Sequence, residues 1–472
     1  MNTSYLAGLI FVLVFGGMIL IHELGHYFAA RLFGIEVEEF GFGIPPRAWT
    51  FWRLKGYFLT KSGKRIEIPR DFGLPFPWSE LNNRELKFTV NRDGDKYILR
   101  TLDVVEEVQE KRPRTDPARK EEILVGQDGS VLQTAEPQSV KTRTLKFGKT
   151  RGDTELTETI RESHPGTEFT LNWLPLGGFV RPKGENDPNI AGGLAAANPW
   201  KRLGVLIAGP LMNLIAGVLV YSILFMQSGV PSQVRILEVV ENSPASEAGL
   251  QAGDIVLSAS GRNVTTVDGM RILIRRSLDH PITIKVQRGG ETLDLSATPL
   301  SSRYSQGAMG ILMGQVTVPA SSWFSAIPAS VTATYEQGYE ILSLPAQMVR
   351  GLLQPEEGRF IGLKGIFDIF NLTVSTDVAS RDTTSTAPEQ PTFSTLYLIA
   401  TLTISIGLFN VLPFPALDGG RIIFTLPELI FRKRVPQNVE NAVHAAGMLF
   451  LILLMIYINV MDFVNPIILP QP

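Results

Sequence analysis

The sequence predicts an α-helical integral membrane protein with about four transmembrane helices and a separate soluble α/β domain. Its 472 residues contain four apolar stretches, approximately residues 5–28, 203–226, 393–412 and 443–460. Each stretch approaches the ~20 residues that a bilayer core requires. A mean hydropathy of +0.11 is high for a soluble protein, whereas 19% charged residues are too many for a pure transporter. Between the second and third stretches, residues 231–319 alternate short β-branched runs with turns, as a small soluble domain does.

Composition limits the chemistry that the chain can carry. A formal net charge of −2 gives no support to nucleic-acid binding. The absence of cysteine excludes disulfides, thiolate metal ligands and cysteine nucleophiles. Any bound metal must therefore be held by His, Asp, Glu or Asn side chains.

Basic residues flank the predicted spans on one side and predict the orientation. They are Arg31, Arg47, Arg53 and Lys55 after the first span, Arg181, Lys183, Lys201 and Arg202 before the second, and Arg432, Lys433 and Arg434 between the third and fourth. Because cytoplasmic loops are rich in Lys and Arg, these loops are predicted to face the cytoplasm. Both termini and the soluble domain are then predicted to be extracytoplasmic. The first span lacks a preceding Lys or Arg and is predicted to be retained rather than cleaved.

The most informative motif is His22-Glu23-Leu24-Gly25-His26, at the end of the first apolar stretch. Histidines four residues apart lie on one helix face and can share one metal ion, and Glu23 beside them can act as a general base. Two histidines on a soluble amphipathic helix are often ordinary polar residues. Here they interrupt a lipid-compatible segment, where ionisable groups are costly and usually functional. The motif therefore predicts a Zn²⁺ site.

A third ligand is predicted where the third span ends. Residues 410–420 read Asn-Val-Leu-Pro-Phe-Pro-Ala-Leu-Asp-Gly-Gly, in which the prolines end the helix. Such a broken segment is tolerated at membrane depth only where it is buried in protein or lines a wet cavity. Asp418 is predicted to reach the same membrane edge as His22 and His26, which leaves a fourth zinc position open for catalysis. The alternative is a simple Pro/Gly turn with a solvated aspartate.

These motifs, together with Gly209-Pro210-Leu211-Met212-Asn213 in the second span, resemble the site-2 protease family of intramembrane zinc metalloproteases, in particular its RseP-like bacterial branch. The resemblance implies that His22, His26 and Asp418 bind zinc and that Glu23 is the catalytic base. It implies that Asn410 contacts substrate, and it gives Asn213 a less defined place in the second-span motif. It further implies a multi-pass protein of the bacterial inner (cell) membrane.

The loop after the first span resembles the family's membrane-associated β-loop, interrupted by a charged insertion. Residues 41–44 and 168–180 match the two halves of that loop. A substrate chain is predicted to pair as a strand with its second half, at Gly177, Gly178 and Phe179. The insertion, residues 57–165, is predicted to be cytoplasmic and permits a small β-rich module, with residues 111–122 as solvated linker. Its sequence assigns it no function.

The soluble domain resembles a circularly permuted bacterial PDZ domain. Its run Asn242 to Ile255 carries the resemblance, and Gly310 and Ile311 match the loop that captures a peptide carboxylate through backbone N–H groups. The alternative is a PDZ fold that binds no peptide and only restricts access to the membrane site. The predicted strands are residues 234–240, 255–258, 282–286 and 293–297, with a helix near 268–278.

The predicted order of segments follows from these patterns. They are 1–34 for the first transmembrane helix with the zinc motif, 35–56 and 166–186 for the β-loop, 57–165 for the insertion, 199–228 for the second helix, 230–319 for the PDZ-like domain, 320–370 for an amphipathic membrane-surface region, 371–392 for a linker, 393–420 for the third helix with the Asp motif, and 440–462 for the fourth helix. A packed helix is an equal alternative for 320–370.

The predicted activity is hydrolysis of peptide bonds inside transmembrane segments of single-span proteins that have already been truncated. The predicted partners are the lipid bilayer and membrane-protein substrates such as anti-sigma factors or remnant signal peptides, and no nucleic acid. A catalytically idle PDZ scaffold is one alternative, but it predicts loss of Glu23 or a ligand, and all are present. A zinc transporter is another, but it needs a polar path, and the fourth span offers little beyond His444 and Asn459.

Overall fold

The structure is a computed structural model. It describes residues 3–70, 81–94, 96–107, 140–146, 153–164, 166–185, 187–190, 192–301, 307–349, 361–381 and 392–466. The predicted linker at residues 111–122 lies outside these ranges. The chain forms two compact units: one comprises Met1–Ile35, Phe42–Pro45 and Trp173–Pro472, and the other Glu36–Gly41 and Pro46–Asn172.

The described helices and strands are as follows. The helices are α1 (Thr3–Leu32), α2 (Pro199–Ser228), α3 (Pro244–Glu247), α4 (Val267–Arg276), α5 (Trp323–Val349), α6 (Leu363–Ala379), α7 (Ser394–Val411), α8 (Asp418–Phe431) and α9 (Gln437–Val464). The strands are β1 (Val37–Arg53), β2 (Gly56–Thr60), β3 (Arg65–Ile68), β4 (Glu85–Asp93), β5 (Lys96–Glu107), β6 (Val140–Lys146), β7 (Thr154–His164), β8 (Glu168–Pro182), β9 (Val230–Val239), β10 (Ile255–Ala259), β11 (Arg262–Asn263), β12 (Ile282–Arg288), β13 (Glu291–Ala297) and β14 (Ile311–Val318).

Helices α1, α2, α7 and α9 are the four described helices that are long and apolar enough to cross a membrane. Their apolar faces remain open in the structure, with between 11% and 39% of each apolar window buried in protein. Such exposure is expected where lipid, rather than protein, covers a helix. The chain is therefore an integral membrane protein.

The insertion after the first span forms a β-module. Its strands pair in the order β3-β2-β7-β4-β5-β6, and an additional parallel pairing of β3 with β5 closes five of them into a ring. Alternating residues point inward, as strand geometry requires. They form a core that includes Phe58, Phe88 and Leu99, each fully buried.

The predicted soluble domain contains an antiparallel sheet and two helices, α3 and α4. Its strand order is β13-β12-β10-β9-β14, with β11 paired to β10. The predicted strands and helix are present as β9, β10, β12, β13 and α4. Since β14 pairs only with β9 among the described strands, it is an edge of this sheet.

Helix α5 is packed on one side, which favours the alternative of a packed helix for residues 320–370. Its Ala326 and Ile341 are buried against Tyr221 and Phe225 of α2 and Ile404 of α7. The Ser222 hydroxyl of α2 also donates to Ser330 at 3.0 Å. Residues 350–360 lie outside the described ranges.

The prediction of a linker at residues 371–392 is wrong for its first part, because α6 continues to Ala379. Hydroxyls of its Ser and Thr residues bond to the helix's own carbonyls, and Phe370 and Val374 pack against α1. Asp377 is only 8% exposed because its carboxylate accepts the backbone N–H groups of Ser394 and Thr395. The aspartate thus caps the first turn of α7. Residues 382–391 lie outside the described ranges.

Candidate active site

Three side chains from distant parts of the chain converge at one point. His22 Nε2 lies 3.0 Å and His26 Nε2 lies 3.2 Å from the same Oδ2 atom of Asp418. The two Nε2 atoms are 3.2 Å apart. Among the described residues, this is the one cluster of three His, Cys, Asp or Glu residues suited to a metal ion. The structure therefore brings together the three predicted ligands.

A tight turn between α7 and α8 presents Asp418. Ala416 lies in this turn with φ +75°, and its N–H donates to His444 Nδ1 of α9 at 2.9 Å. A Cβ on Gly419 would lie 2.1 Å from the Leu412 carbonyl oxygen, and one on Gly447 of α9 would lie 2.4 Å from Pro415 Cβ. Only glycine allows these approaches. Helix α9 thus holds the turn, a role for His444 that no local pattern in the sequence indicates.

The remaining ring nitrogens are held by α2. His26 Nδ1 lies 2.8 Å from the Val205 carbonyl oxygen. His22 Nδ1 lies 3.5 Å from the side-chain amide of Asn213, which is fully buried and whose Oδ1 has no partner. The orientation of an asparagine amide is assigned from the hydrogen bonds it can make. Turning the Asn213 amide by 180° would let its Oδ1 accept a hydrogen bond from a protonated His22 Nδ1. Both imidazoles then direct an Nε2 lone pair at the same point.

Helices α1 and α2 approach each other through glycines. A Cβ on Gly25 would lie 2.3 Å from the Ala208 carbonyl oxygen. A Cβ on Gly209 would lie 2.3 Å from His26 Nε2 and 2.9 Å from His22 Nε2. No real Cβ tolerates such distances, so the second-span motif provides the room that the imidazoles occupy.

A cavity of about 320 Å³ opens beside the three side chains. Glu23, Asn410, Phe179 and Val180 also line it, and the backbone N–H of Val180 is within hydrogen-bonding range of the Glu23 carboxylate. The Asn410 amide donates to the carbonyl of Ile406 in its own helix at 3.0 Å. The structure thus brings Glu23, Asn410 and Phe179 to the cavity.

Five of the predicted site residues are not among those lining this cavity, and one of them, Asn213, lies behind His22 as described above. Gly177 and Gly178 precede Phe179 in β8. Gly310 and Ile311 lie at the start of β14 in the soluble domain. There the Gly310 N–H already donates to the Gly307 carbonyl at 3.2 Å, and the Gly310 carbonyl accepts the Val240 N–H at 2.9 Å. Gly310 has φ +69°, and a Cβ there would lie 2.4 Å from Ser243 Cβ.

The charge state of Asp418 suits metal binding. An aspartate carboxyl group ordinarily loses its proton at about pH 4, and Oδ2 of Asp418 faces the Nε2 atoms of His22 and His26. The side chain is therefore an anionic ligand at neutral pH.

The three ligand atoms fit a tetrahedral zinc ion. Zinc–nitrogen bonds of ~2.0–2.1 Å place neighbouring tetrahedral ligands about 3.3 Å apart. The observed separations of 3.0–3.2 Å between the ligand atoms are close to this distance. The unpartnered Oδ1 of Asn213 is also explained if His22 binds through Nε2 and keeps a proton on Nδ1.

Comparison with known proteins also indicates a zinc metalloprotease. The model of peptidase family M50 matches residues 10–60 and 154–454, well over half of the chain. The unmatched stretch between those segments contains β3 to β6 of the β-module.

Several characterised or named bacterial proteins are similar to the chain. A Clostridium perfringens protein named as a zinc metalloprotease is 31% identical over 64% of this chain and 85% of that relative. The regulator of sigma-W protease RasP of Bacillus subtilis is 24% identical over 95% of this chain and 96% of RasP. Metalloprotease MmpA of Caulobacter vibrioides is 26% identical over 62% of this chain and 81% of MmpA. The chain therefore belongs to peptidase family M50, the site-2 type of zinc metalloprotease.

Proposed function

We propose that the chain hydrolyses peptide bonds within transmembrane segments of single-span membrane proteins whose outer parts have already been removed, as in regulated intramembrane proteolysis. One observation carries the proposal: His22, His26, Asp418 and Glu23 share a cavity formed in part by helices long and apolar enough to span a membrane. A general base and three ligand atoms facing the same space suit hydrolysis.

Each residue has a separate role in this reaction. His22, His26 and Asp418 hold zinc, which when bound polarises the scissile carbonyl and makes water more acidic. Glu23 takes the proton of the attacking water on a carboxylate oxygen and returns it to the leaving amine nitrogen. The Val180 N–H fixes the direction of that carboxylate. Asn410, in the wall of the same cavity, holds the substrate chain.

The substrate is an extended chain rather than a helix. A helix hides its peptide bonds within its own hydrogen bonds, so the segment must unwind before it reaches the base. Its backbone then pairs with the edge of β8 at Gly177, Gly178 and Phe179, which leads directly to the cavity. Spans with weak helix propensity are the preferred substrates.

The soluble domain would control which proteins enter. Its edge strand β14 lies beside α4. A PDZ domain binds an extended peptide between such a strand and helix, and Gly310 and Ile311 would lie at the end that holds the peptide carboxylate. We infer that this domain and both termini are extracytoplasmic and that the β-module is cytoplasmic, because basic residues flank α1, α2 and α8 on one side. The name of RasP ties that relative to sigma-factor control. Anti-sigma factors and remnant signal peptides are accordingly the proposed substrate classes.

The function is tested with purified protein in lipid vesicles and a single-span substrate. We expect cleavage that stops when a chelator removes zinc and returns when zinc is added. His22 follows Tyr5 by about 17 residues, roughly 25 Å at ~1.5 Å per residue. Mass spectrometry should therefore place the cuts in the cytoplasmic third of the ~30 Å substrate span. Cleavage that survives chelation, or cuts confined to the outer half, would refute the proposal.

Substitution of Asp418 by Ala tests the ligand set directly. Loss of one of three protein ligands should weaken zinc binding by at least about tenfold. Metal analysis of the purified protein should show about one zinc per native chain and a clear deficit in the variant. Replacement of the half-buried Asp268 of α4 by Ala is the control. This residue does not line the cavity, so zinc content should stay unchanged. Full zinc retention in Asp418→Ala would remove this residue from the ligand set.

A further inference from the structure

An ion pair lies in the wall between two cavities. Arg421 Nη1 of α8 donates to Glu185 Oε1. Both residues line the cavity that contains the metal ligands, and both line a second cavity of about 30 Å³. The residues that line only the second cavity include Arg202, Arg434, Gln437 and Glu440. The sequence gives no motif for this pair, since 236 residues separate its members.

One end of the pair is fixed to the metal ligands. Arg421 follows Asp418 by three residues in α8, so the two side chains lie on neighbouring parts of one helix face. The position of Arg421 therefore depends on the same turn, held by His444, that places Asp418.

The other end is fixed to β8. Glu185 follows Pro182, the last residue of that strand. The loop after it doubles back, because the Leu194 N–H donates to Lys183 at 2.8 Å and the Ala195 N–H donates to Gly184 at 3.0 Å. Arg434 also donates to the Ala195 carbonyl at 2.8 Å. This folded loop keeps Glu185 close to the end of the strand.

Strand β8, which leads to Glu185, has few other contacts of its own sheet to hold it in place. β8 pairs with β1 in a sheet of two strands, and two-stranded ribbons are marginally stable on their own. Its Val180 N–H already meets the Glu23 carboxylate. The ion pair supplies a second attachment, three residues after the strand ends. The side chains of Arg421 and Glu185 are 35% and 26% exposed, so the pair is partly shielded from water.

We propose that Glu185 and Arg421 are positioning residues that clasp the end of β8 to helix α8 and so hold the substrate-pairing edge in register with the metal ligands. The inference rests on the proposed function, in which the substrate pairs with this edge. A misplacement of about 1 Å between a bound chain and a catalytic group can cost about a hundredfold in rate. The clasp acts on where the substrate lies and leaves the zinc ligands unchanged.

A charge exchange tests the clasp. Glu185→Arg and Arg421→Glu should each lower kcat/KM about tenfold to a hundredfold, with zinc content unchanged. Each should also speed amide hydrogen exchange at residues 177–181. The double exchange restores an ion pair with the two charges interchanged. We expect kcat/KM within about threefold of the native value and near-native amide exchange.

The Arg275–Glu340 pair is the matched control. Its atoms are 2.5 Å apart, its side chains are 36% and 22% exposed, and it joins α4 to α5 away from the cavity. Reversing either of its charges should leave amide exchange at residues 177–181 unchanged. If the reversed-charge variants of the clasp fail to fold, Glu185→Gln keeps the size of the side chain but loses the ion pair, and it should also lower kcat/KM and speed amide exchange.

Three outcomes would overturn the clasp. The first is loss of zinc in the single variants. The second is a double variant no more active than the worse single variant, and the third is native amide exchange at residues 177–181 in every variant. Failure of the proposed function is distinct, because a native chain that cleaves no membrane span would still give an amide-exchange result for the clasp.

Discussion

Replacing Gly209 by Ala is expected to remove most bound zinc and, with it, proteolysis. The added Cβ would lie 2.3 Å from His26 Nε2, 2.6 Å from His26 Cε1 and 2.9 Å from His22 Nε2. The His26 ring cannot easily retreat, because its Nδ1 atom is bonded to the Val205 carbonyl of the same helix. We expect a loss of at least about tenfold to a hundredfold in zinc affinity, as when the supports of metal ligands are removed.

Backbone effects cannot account for such a loss. Alanine favours a helix over glycine by roughly 1 kcal/mol, so the substitution strengthens α2 itself. Gly217→Ala in the same helix is the matched control, since its Cβ would approach Ile404 Cγ1 and Cδ1 at 2.5 Å and 3.1 Å. A single aliphatic side chain can rotate away from that contact, whereas two ring nitrogens aimed at one metal cannot. Metal analysis and cleavage rates measure both variants. Native zinc content and activity in Gly209→Ala would show that α1 and α2 separate freely.

Replacing Glu23 by Gln is expected to stop cleavage while leaving zinc in place. The amide has the size of the carboxylate but cannot accept the proton of the attacking water, and such general-base steps contribute about 10²–10⁴-fold to the rate. Glu23 is not among the three clustered ligand residues, so metal content should stay at the native level. Single-turnover rates in vesicles, with KM measured in parallel, separate lost chemistry from lost binding.

The same variant identifies the substrates in cells. Membrane fractions from cells that carry Glu23→Gln should accumulate single-span fragments that cells with the native chain do not. A Glu23→Gln protein that keeps more than about a tenth of native activity would remove Glu23 from the role of base. Loss of zinc in this variant would instead assign it to the metal.

Prediction from sequence succeeded where the pattern is local. The four-residue spacing of His22 and His26 defines one face of a helix, and the apolar length of α1 defines a span. The strands of the soluble domain follow from alternation in the same way. Prediction from sequence failed at residues 371–379, where the polar composition predicts a linker. These residues form a helix because Val374 packs against α1 and Asp377 caps α7. Local propensity is weak compared with such tertiary contacts.

The sequence by itself determined the spans, the metal motif and the likeness to the site-2 proteases, and it predicted Asp418 as the third ligand. Only the tertiary structure decided which atoms support those residues: the Val205 carbonyl behind His26, Asn213 behind His22, His444 under the Ala416 turn, and Arg421 opposite Glu185. The reason is physical. A periodic pattern reports the geometry of one element, because neighbouring residues share a backbone conformation. A contact between residues 28 to 236 positions apart depends on how separate elements pack, which no local pattern encodes.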